Sequence, residues 1–221
     1  MVDVKFCGLT RPQDASFAAE LGAVYAGVIF AGGPRRLTPE RAAEVLEPLR
    51  GTPVRKVGVF GALEVTEIAT IADAASVDVV QLHGGATAEI ISELRRSFGG
   101  AIWVVTRVAR GESMTGGAGV VGSDAVVFDA AVPGQLGGSG VTIDWTAQSF
   151  MDEVCRVRKI AGGTLVLAGG LNAENVGRAV RLVRPDVVDV SSGVESALGI
   201  KDHDRMRAFF LAARASIEEE R

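Results

Sequence analysis

Cysteine is scarce in this chain of 221 residues: only Cys7 and Cys155 occur, far apart, with no CxxC pair and no cluster of metal-ligating types around either. That spacing offers neither a disulfide framework nor a zinc site, and it suits a reducing, cytoplasmic setting. A basic excess is missing as well. With 23 Lys and Arg against 27 Asp and Glu, the formal net charge is −4, so no field exists to draw in a phosphate polymer. Nucleic acid and membrane surface are excluded as partners on that ground. The sequence has no 18-residue apolar run, and Met1 is soon followed by Asp3 and Lys5 instead of a cationic and then apolar leader. No membrane span and no export signal are therefore expected. No GxGxxG opens the first helical stretch, and no Pro- or Ser-rich linker divides the chain.

What is present is a regular alternation. Hydrophobic residues make up 48% of the sequence, enough to bury roughly 70–75% of the unfolded surface. Eight short β-branched runs, VDVKFC, AGVIF, RKVGVF, VDVVQLH, AIWVVTRV, AVVFDA, TLVLAGG and DVVDVSS, read as buried parallel strands. Seven stretches with apolar residues at three- and four-residue spacing lie between and after them, from RPQDASFAAELG to DHDRMRAFFLAARASIEEE. The fifth connection, ARGESMTGGAGVVGS, is too glycine-rich for a good helix. Eight strands in strict alternation predict an α/β fold, a closed (β/α)8 barrel with a degenerate fifth helix, formed by residues 1–221 as a single domain. The terminal EEER puts acids at a helix C-terminus, where the dipole disfavours them.

Alternation along the strands sorts side chains between the two faces of such a barrel. Val2, Val4 and Phe6 share the helix-facing side of the first strand, leaving Asp3, Lys5 and Cys7 for the interior. By the same count Gln81 and His83 point inward from the fourth strand, Val127 and Asp129 from the sixth, Asp189 and Ser191 from the eighth. Polar groups thus gather at the C-terminal strand ends, where barrel enzymes build their sites. Thr10 and Gln13 match a capping box, which would start the first helix three residues after Cys7 and lower its thiol pKa. Each of these residues also has an ordinary reading: a packed cysteine, a loop carboxylate, a hydrogen-bonded histidine, polar barrel filling.

Two glycine turns carry a firmer signal. LAGGLNAENV ends the seventh strand at Gly169 and Gly170, with Asn172 placed to cap the next helix, and SSGVE ends the eighth with Ser191, Ser192 and Gly193. Backbone N–H groups after the seventh and eighth strands are where barrels commonly hold a phosphate. After the second strand, GGPRRLTPERA supplies Arg35 as a cation for a carboxylate. From Pro133 to Gly140, five of eight residues are glycine or proline, the composition of either a lid or a flexible connector.

Taken together, KFCGLT, GPRRLTPE, KVGVF, VQLHG, FDAAVPGQLGGSGVTIDW, LAGGLNAENV and DVSSGVE resemble, in order and over nearly the whole chain, the phosphoribosylanthranilate isomerase family of tryptophan biosynthesis. The resemblance implies a cofactor-free Amadori rearrangement of N-(5-phosphoribosyl)anthranilate by a cytoplasmic monomer or homodimer acting on a small phosphorylated substrate. It places the general base on Cys7 and the general acid on Asp129, and it aligns the carboxylate-binding arginine with Arg35, beside a second candidate cation, Arg36. The expected pH profile is a bell in which protonation of Cys7 ends activity at low pH and ionisation of Asp129 ends it at high pH. GGSG stands where relatives usually read GGTG, keeping a hydroxyl at Ser139. Three other readings bear on the same residues. The histidine-pathway isomerase ends its first strand in an aspartate, where this chain has Cys7. Indole-glycerol-phosphate synthase needs a lysine and a glutamate near the site, and the sequence offers no placement for them. A non-catalytic sugar-phosphate-binding barrel would keep the glycine turns but has no reason to pair Cys7 with Asp129.

Overall fold

The computed structural model describes residues 1–84, 86–108, 121–130, 143–161 and 163–215. Eight parallel strands close into one barrel in chain order. They are β1 (Asp3–Phe6), β2 (Tyr25–Ile29), β3 (Arg55–Phe60), β4 (Val79–Leu82), β5 (Ala101–Val108), β6 (Ala125–Ala130), β7 (Thr164–Leu167) and β8 (Val187–Val190). Closure comes from β8 pairing with β1, in the register Lys5 opposite Asp189. Helices α1 (Pro12–Leu21), α2 (Pro39–Leu46), α3 (Val65–Ala74), α4 (Ala88–Ser97), α5 (Gln148–Ala161), α6 (Val176–Val183) and α7 (His203–Ala215) surround it. The degenerate fifth helix, the glycine-rich segment with Ser139, and the terminal EEER fall largely or wholly on residues 109–120, 131–142 and 216–221, outside the described residues.

Strand alternation divides the core as the sequence implies. Val2, Val4, Phe6, Val80, Leu82, Val126, Phe128, Val188 and Val190 pack in the layer between barrel and helices. Inside the barrel, Tyr25, Val57, Val79, Trp103, Ala125, Val127, Val166 and Val187 form a separate apolar plug. That plug fills the barrel below its C-terminal mouth, so only strand-end side chains are left to meet a ligand.

Helix starts follow their caps, with one correction. Thr38 accepts from the Arg41 N–H at 3.2 Å and Thr87 from the Ile90 N–H at 3.3 Å, as threonine N-caps do. The capping box expected at Thr10 and Gln13 does not form. Arg11 occupies the N-cap of α1 with Pro12 behind it, and the Thr10 hydroxyl instead donates to the Gly199 carbonyl at 2.5 Å. A long-range partner has outcompeted the local one. The partner belongs to a hairpin absent from the sequence reading, β9 (Glu195–Ala197) with β10 (Ile200–Lys201), inserted between β8 and α7. Asn172 also caps differently from expectation. Its side-chain oxygen accepts from the N–H groups of Glu174 and Asn175, closing a turn ahead of α6, whose own N-cap is Asn175.

Candidate active site

One pocket opens at the C-terminal mouth, enclosing about 740 Å³ with its opening to solvent included. Cys7, Arg35, Gln81, His83, Asp129, Gly169, Gly170, Asp189, Ser191, Ser192 and Gly193 all line it. These eleven sequence-nominated positions therefore meet in one place, delivered by β1, β2, β4, β6, β7 and β8 or the turns that follow them. Arg36, the alternative cation, is exposed and pairs in a lone bridge with Ile29, so the two arginines are separated by backbone direction.

Cys7 is 7% exposed and reduced. Burial pushes its thiol above the ordinary value of 9.0, against the pull of the Lys5 ammonium. The expected lowering by α1 does not prevail: the helix begins at Pro12, five residues on, and a helix dipole acts within about one turn. Asp129, nearly buried at the end of β6, has its carboxyl pushed up to about 6 by burial first and then by the Asp189 carboxylate, while Arg107 on β5 pulls it back. Burial, reinforced by Arg107 and Lys5, drops His83 to about 4, which leaves its imidazole neutral at pH 7. The 3.8 Å approach of its Nε2 to Asp129 Oδ2 is thus a dipolar contact instead of an ion pair.

Two turns, after β7 and β8, shape the rim on the side where β8 pairs with β1. Gly169 and Gly170 follow β7 with φ of 82° and 66°, the left-handed region that glycine adopts without strain. Ser192–Val194 form a short 3-10 turn after β8. A Cβ on Gly193 would lie 2.0 Å from the Leu171 carbonyl oxygen, so that the two turns approach as closely as backbone allows. Gln81 Oε1, His83 Nε2, Asp189 Oδ1 and Ser191 Oγ are buried without a hydrogen-bond partner among the described residues. Buried polar atoms of that kind around one pocket suit a polar, hydroxyl-rich ligand.

Sequence reasoning overlooked a charged layer behind the rim. Arg35 donates from Nε and Nη2 to Glu195 on β9, both at 2.7 Å. Lys201 on β10 donates to the same carboxylate and to the Ser191 carbonyl, each at 3.0 Å. Below Cys7, fully buried Lys5 donates to Asp189 Oδ2 at 2.7 Å. A lysine and a glutamate do stand near the site, contrary to expectation, but they stand bonded to each other. Inward alternation already flagged Lys5; nothing in the local pattern flagged the hairpin. Among the described residues, no group of three or more His, Cys, Asp or Glu side chains could hold a metal ion.

Comparison with known proteins points one way. The family model for N-(5'-phosphoribosyl)anthranilate isomerase matches residues 4–212. An N-(5'-phosphoribosyl)anthranilate isomerase from Pseudomonas aeruginosa (strain LESB58) is 39% identical over 221 residues, spanning 99% of this chain and 98% of that protein. The same-named protein of Paramagnetospirillum magneticum is 39% identical over 218 residues, 96% of this chain and 97% of its own. Among solved structures, the Thermotoga maritima phosphoribosyl anthranilate isomerase superposes with a TM-score of 0.80 at 32% identity, over 97% of this chain and all of that one. A phosphoribosyl anthranilate isomerase in complex with reduced 1-(o-carboxyphenylamino)-1-deoxyribulose 5-phosphate gives 0.78 at 31%, over 97% of this chain and 100% of that one. A closed barrel whose mouth gathers Cys7, Asp129, Arg35 and two glycine turns, matched end to end by these relatives, places this chain in the phosphoribosylanthranilate isomerase family.

Proposed function

We propose that the pocket converts N-(5-phosphoribosyl)anthranilate to 1-(2-carboxyphenylamino)-1-deoxyribulose 5-phosphate, the isomerisation step of tryptophan biosynthesis, with Asp129 as general acid and Cys7 as general base. The observation that carries the role assignment is their placement. The two proton-transfer groups end β6 and β1 and face one pocket, and both titrate above their ordinary values.

The chemistry requires two proton movements at separate atoms. Asp129 in its acid form protonates the furanose ring oxygen, the C1–O bond breaks, and the anthranilate nitrogen takes up the positive charge as an iminium. Cys7 as thiolate then removes the C2 proton, and the electron pair collapses into an enolamine. Reprotonation at C1 and loss of the C2 hydroxyl proton give the ketone, so the overall change is an isomerisation without net redox. Arg35 binds the anthranilate carboxylate, since its bond to Glu195 engages only two of its five donors. Phosphate is held by N–H groups of the Gly169–Gly170 and Ser192–Gly193 turns, and Gln81, His83, Asp189 and Ser191 address the sugar.

The test is direct. N-(5-phosphoribosyl)anthranilate generated in situ should lose its anthranilate fluorescence signature on addition of purified protein. Cys7→Ser and Asp129→Asn should each lower kcat by at least about 10²-fold with little change in KM, the usual scale for losing a general base or acid. Near-normal kcat in Cys7→Ser would return that residue to simple packing.

A further inference from the structure

The proton-transfer scheme makes no use of the ion pair beneath it. Lys5 and Cys7 are two residues apart on β1 and point inward, and Asp189 is the direct β8 neighbour of Lys5. Lys5 is fully buried, its ammonium 2.7 Å from Asp189 Oδ2 and near enough to Cys7 that the two groups act on each other electrostatically. The adjoining strand is hollowed at this point. A Cβ on Gly27 of β2 would lie 3.1 Å from Cys7 Sγ and 3.4 Å from Lys5 Nζ, so glycine leaves the room that sulfur and ammonium both border. Elsewhere the barrel interior is filled by apolar side chains such as Val57, Val79 and Val166. Taking an ammonium out of water costs several kcal/mol, so a bare filler would be better apolar.

We propose that Lys5 is a positioning residue for Cys7: its ammonium, shared between the sulfur and the Asp189 carboxylate, is the counter-charge that lets the buried thiol release its proton. This rests on the reading of Cys7 as base. Lys5 stays protonated throughout and accepts nothing; forming the working pair moves one proton, net, from the Cys7 sulfur to the Asp129 carboxylate. The other charges facing the sulfur are Asp189 from β8, which opposes the thiolate, and Lys201 from β10, which favours it, with Arg35 beyond β2. Glu195 on β9 offsets much of Arg35 and Lys201, and His83 and Asp129 face the group across the mouth. Lys5 is thus the cation that acts most strongly on the sulfur.

The experiment is the pH dependence of Cys7 alkylation by iodoacetamide, with exposed Cys155 changed to Ser so that one thiol reports. Lys5→Met should move the midpoint upward by about one pH unit or more, a roughly tenfold slower alkylation below it, and Asp189→Asn should move it downward. The alkaline limb of kcat/KM should shift with each. Opposite shifts separate an electrostatic role from a structural one, because loosened packing would expose the thiol and move both variants the same way. Midpoints that stay put or move together would overturn the proposal. If Lys5→Met does not fold, Lys5→Gln takes its place beside Asp189→Asn: an upward shift in Lys5→Gln supports the proposal, and no shift or a downward one defeats it. Alkylation needs no turnover, so near-normal kcat in Cys7→Ser would remove the base assignment while leaving these shifts to be read independently.

Discussion

Asp129, the proposed general acid, illustrates what a buried carboxyl costs the fold. Its carboxyl titrates at about 6 in the folded chain against 3.8 ordinarily, so folding disfavours its ionised form. The sign follows from linkage: an acid whose folded pKa is raised costs nothing below the unfolded value, and the cost grows between the two values and is complete above the higher one. Asp129→Asn should therefore gain stability over the wild type at pH 8, by up to about 3 kcal/mol, and show no such gain at pH 4. Urea unfolding at the two pH values checks this, and an equal difference at both would mean the carboxylate is not destabilising. Arg35 behaves differently, because its guanidinium is already anchored. Arg35→Ala should raise KM more than it lowers kcat, by roughly 2–4 kcal/mol of charge-assisted binding, while exposed Arg36→Ala should do neither. The choice between these neighbours was not open to sequence, since it depends on which face of a single bridge with Ile29 each side chain leaves.

At the scale of elements, strand faces were legible because alternation has only two answers and the polar residues Lys5, Gln81, Asp129 and Asp189 of β1, β4, β6 and β8 all take the inner one, while apolar side chains fill both. The helix start at Thr10 was not, because a hydroxyl that can cap locally can also reach the hairpin carbonyl of Gly199, and only the fold brings that carbonyl near. The hairpin escaped for a related reason: its strands are three and two residues long, too short for any period to show. It is nonetheless tied down. Buried Asp14 of α1 accepts from Arg11 at 2.7 and 2.9 Å and from the Lys201 N–H at 3.3 Å, and it approaches His203 at 3.0 Å. Through these bonds α1 sets where Glu195 and Lys201 stand, and they set Arg35. The turn after β8 is equally constrained. In Gly193→Ala the new methyl meets the Leu171 carbonyl, so the β7 and β8 turns must part. Inorganic phosphate competes with substrate in the wild type on this reading, and its inhibition constant should rise at least about tenfold in Gly193→Ala. An unchanged constant would place the phosphate elsewhere.

Across the whole molecule, barrel closure buries both proposed proton-transfer groups, and the directions in which it moves them reverse the pH assignment made from sequence. Both are nearly buried where the strands end, so burial raises both: Asp129 to about 6 and Cys7 above its ordinary value. Between those values the prevailing pair is carboxylate and thiol, whereas the reaction uses carboxylic acid and thiolate. These two arrangements hold the same number of protons, so their ratio does not change with pH across the plateau. It is set by the gap between the two values, which weighs against the working pair. Activity should then rise as pH passes about 6 and fall again only beyond the ordinary thiol range, with the acidic limb belonging to Asp129 and the alkaline limb to Cys7. The substrate phosphate also loses its second proton near pH 6, which makes the alkaline limb the diagnostic one. In a plot of kcat/KM against pH, the alkaline midpoint should coincide with the alkylation midpoint of Cys7 measured on the free protein. If alkylation instead tracks the acidic limb, the thiol is already ionised at neutral pH, and the cations around it outweigh the burial that the closed barrel imposes.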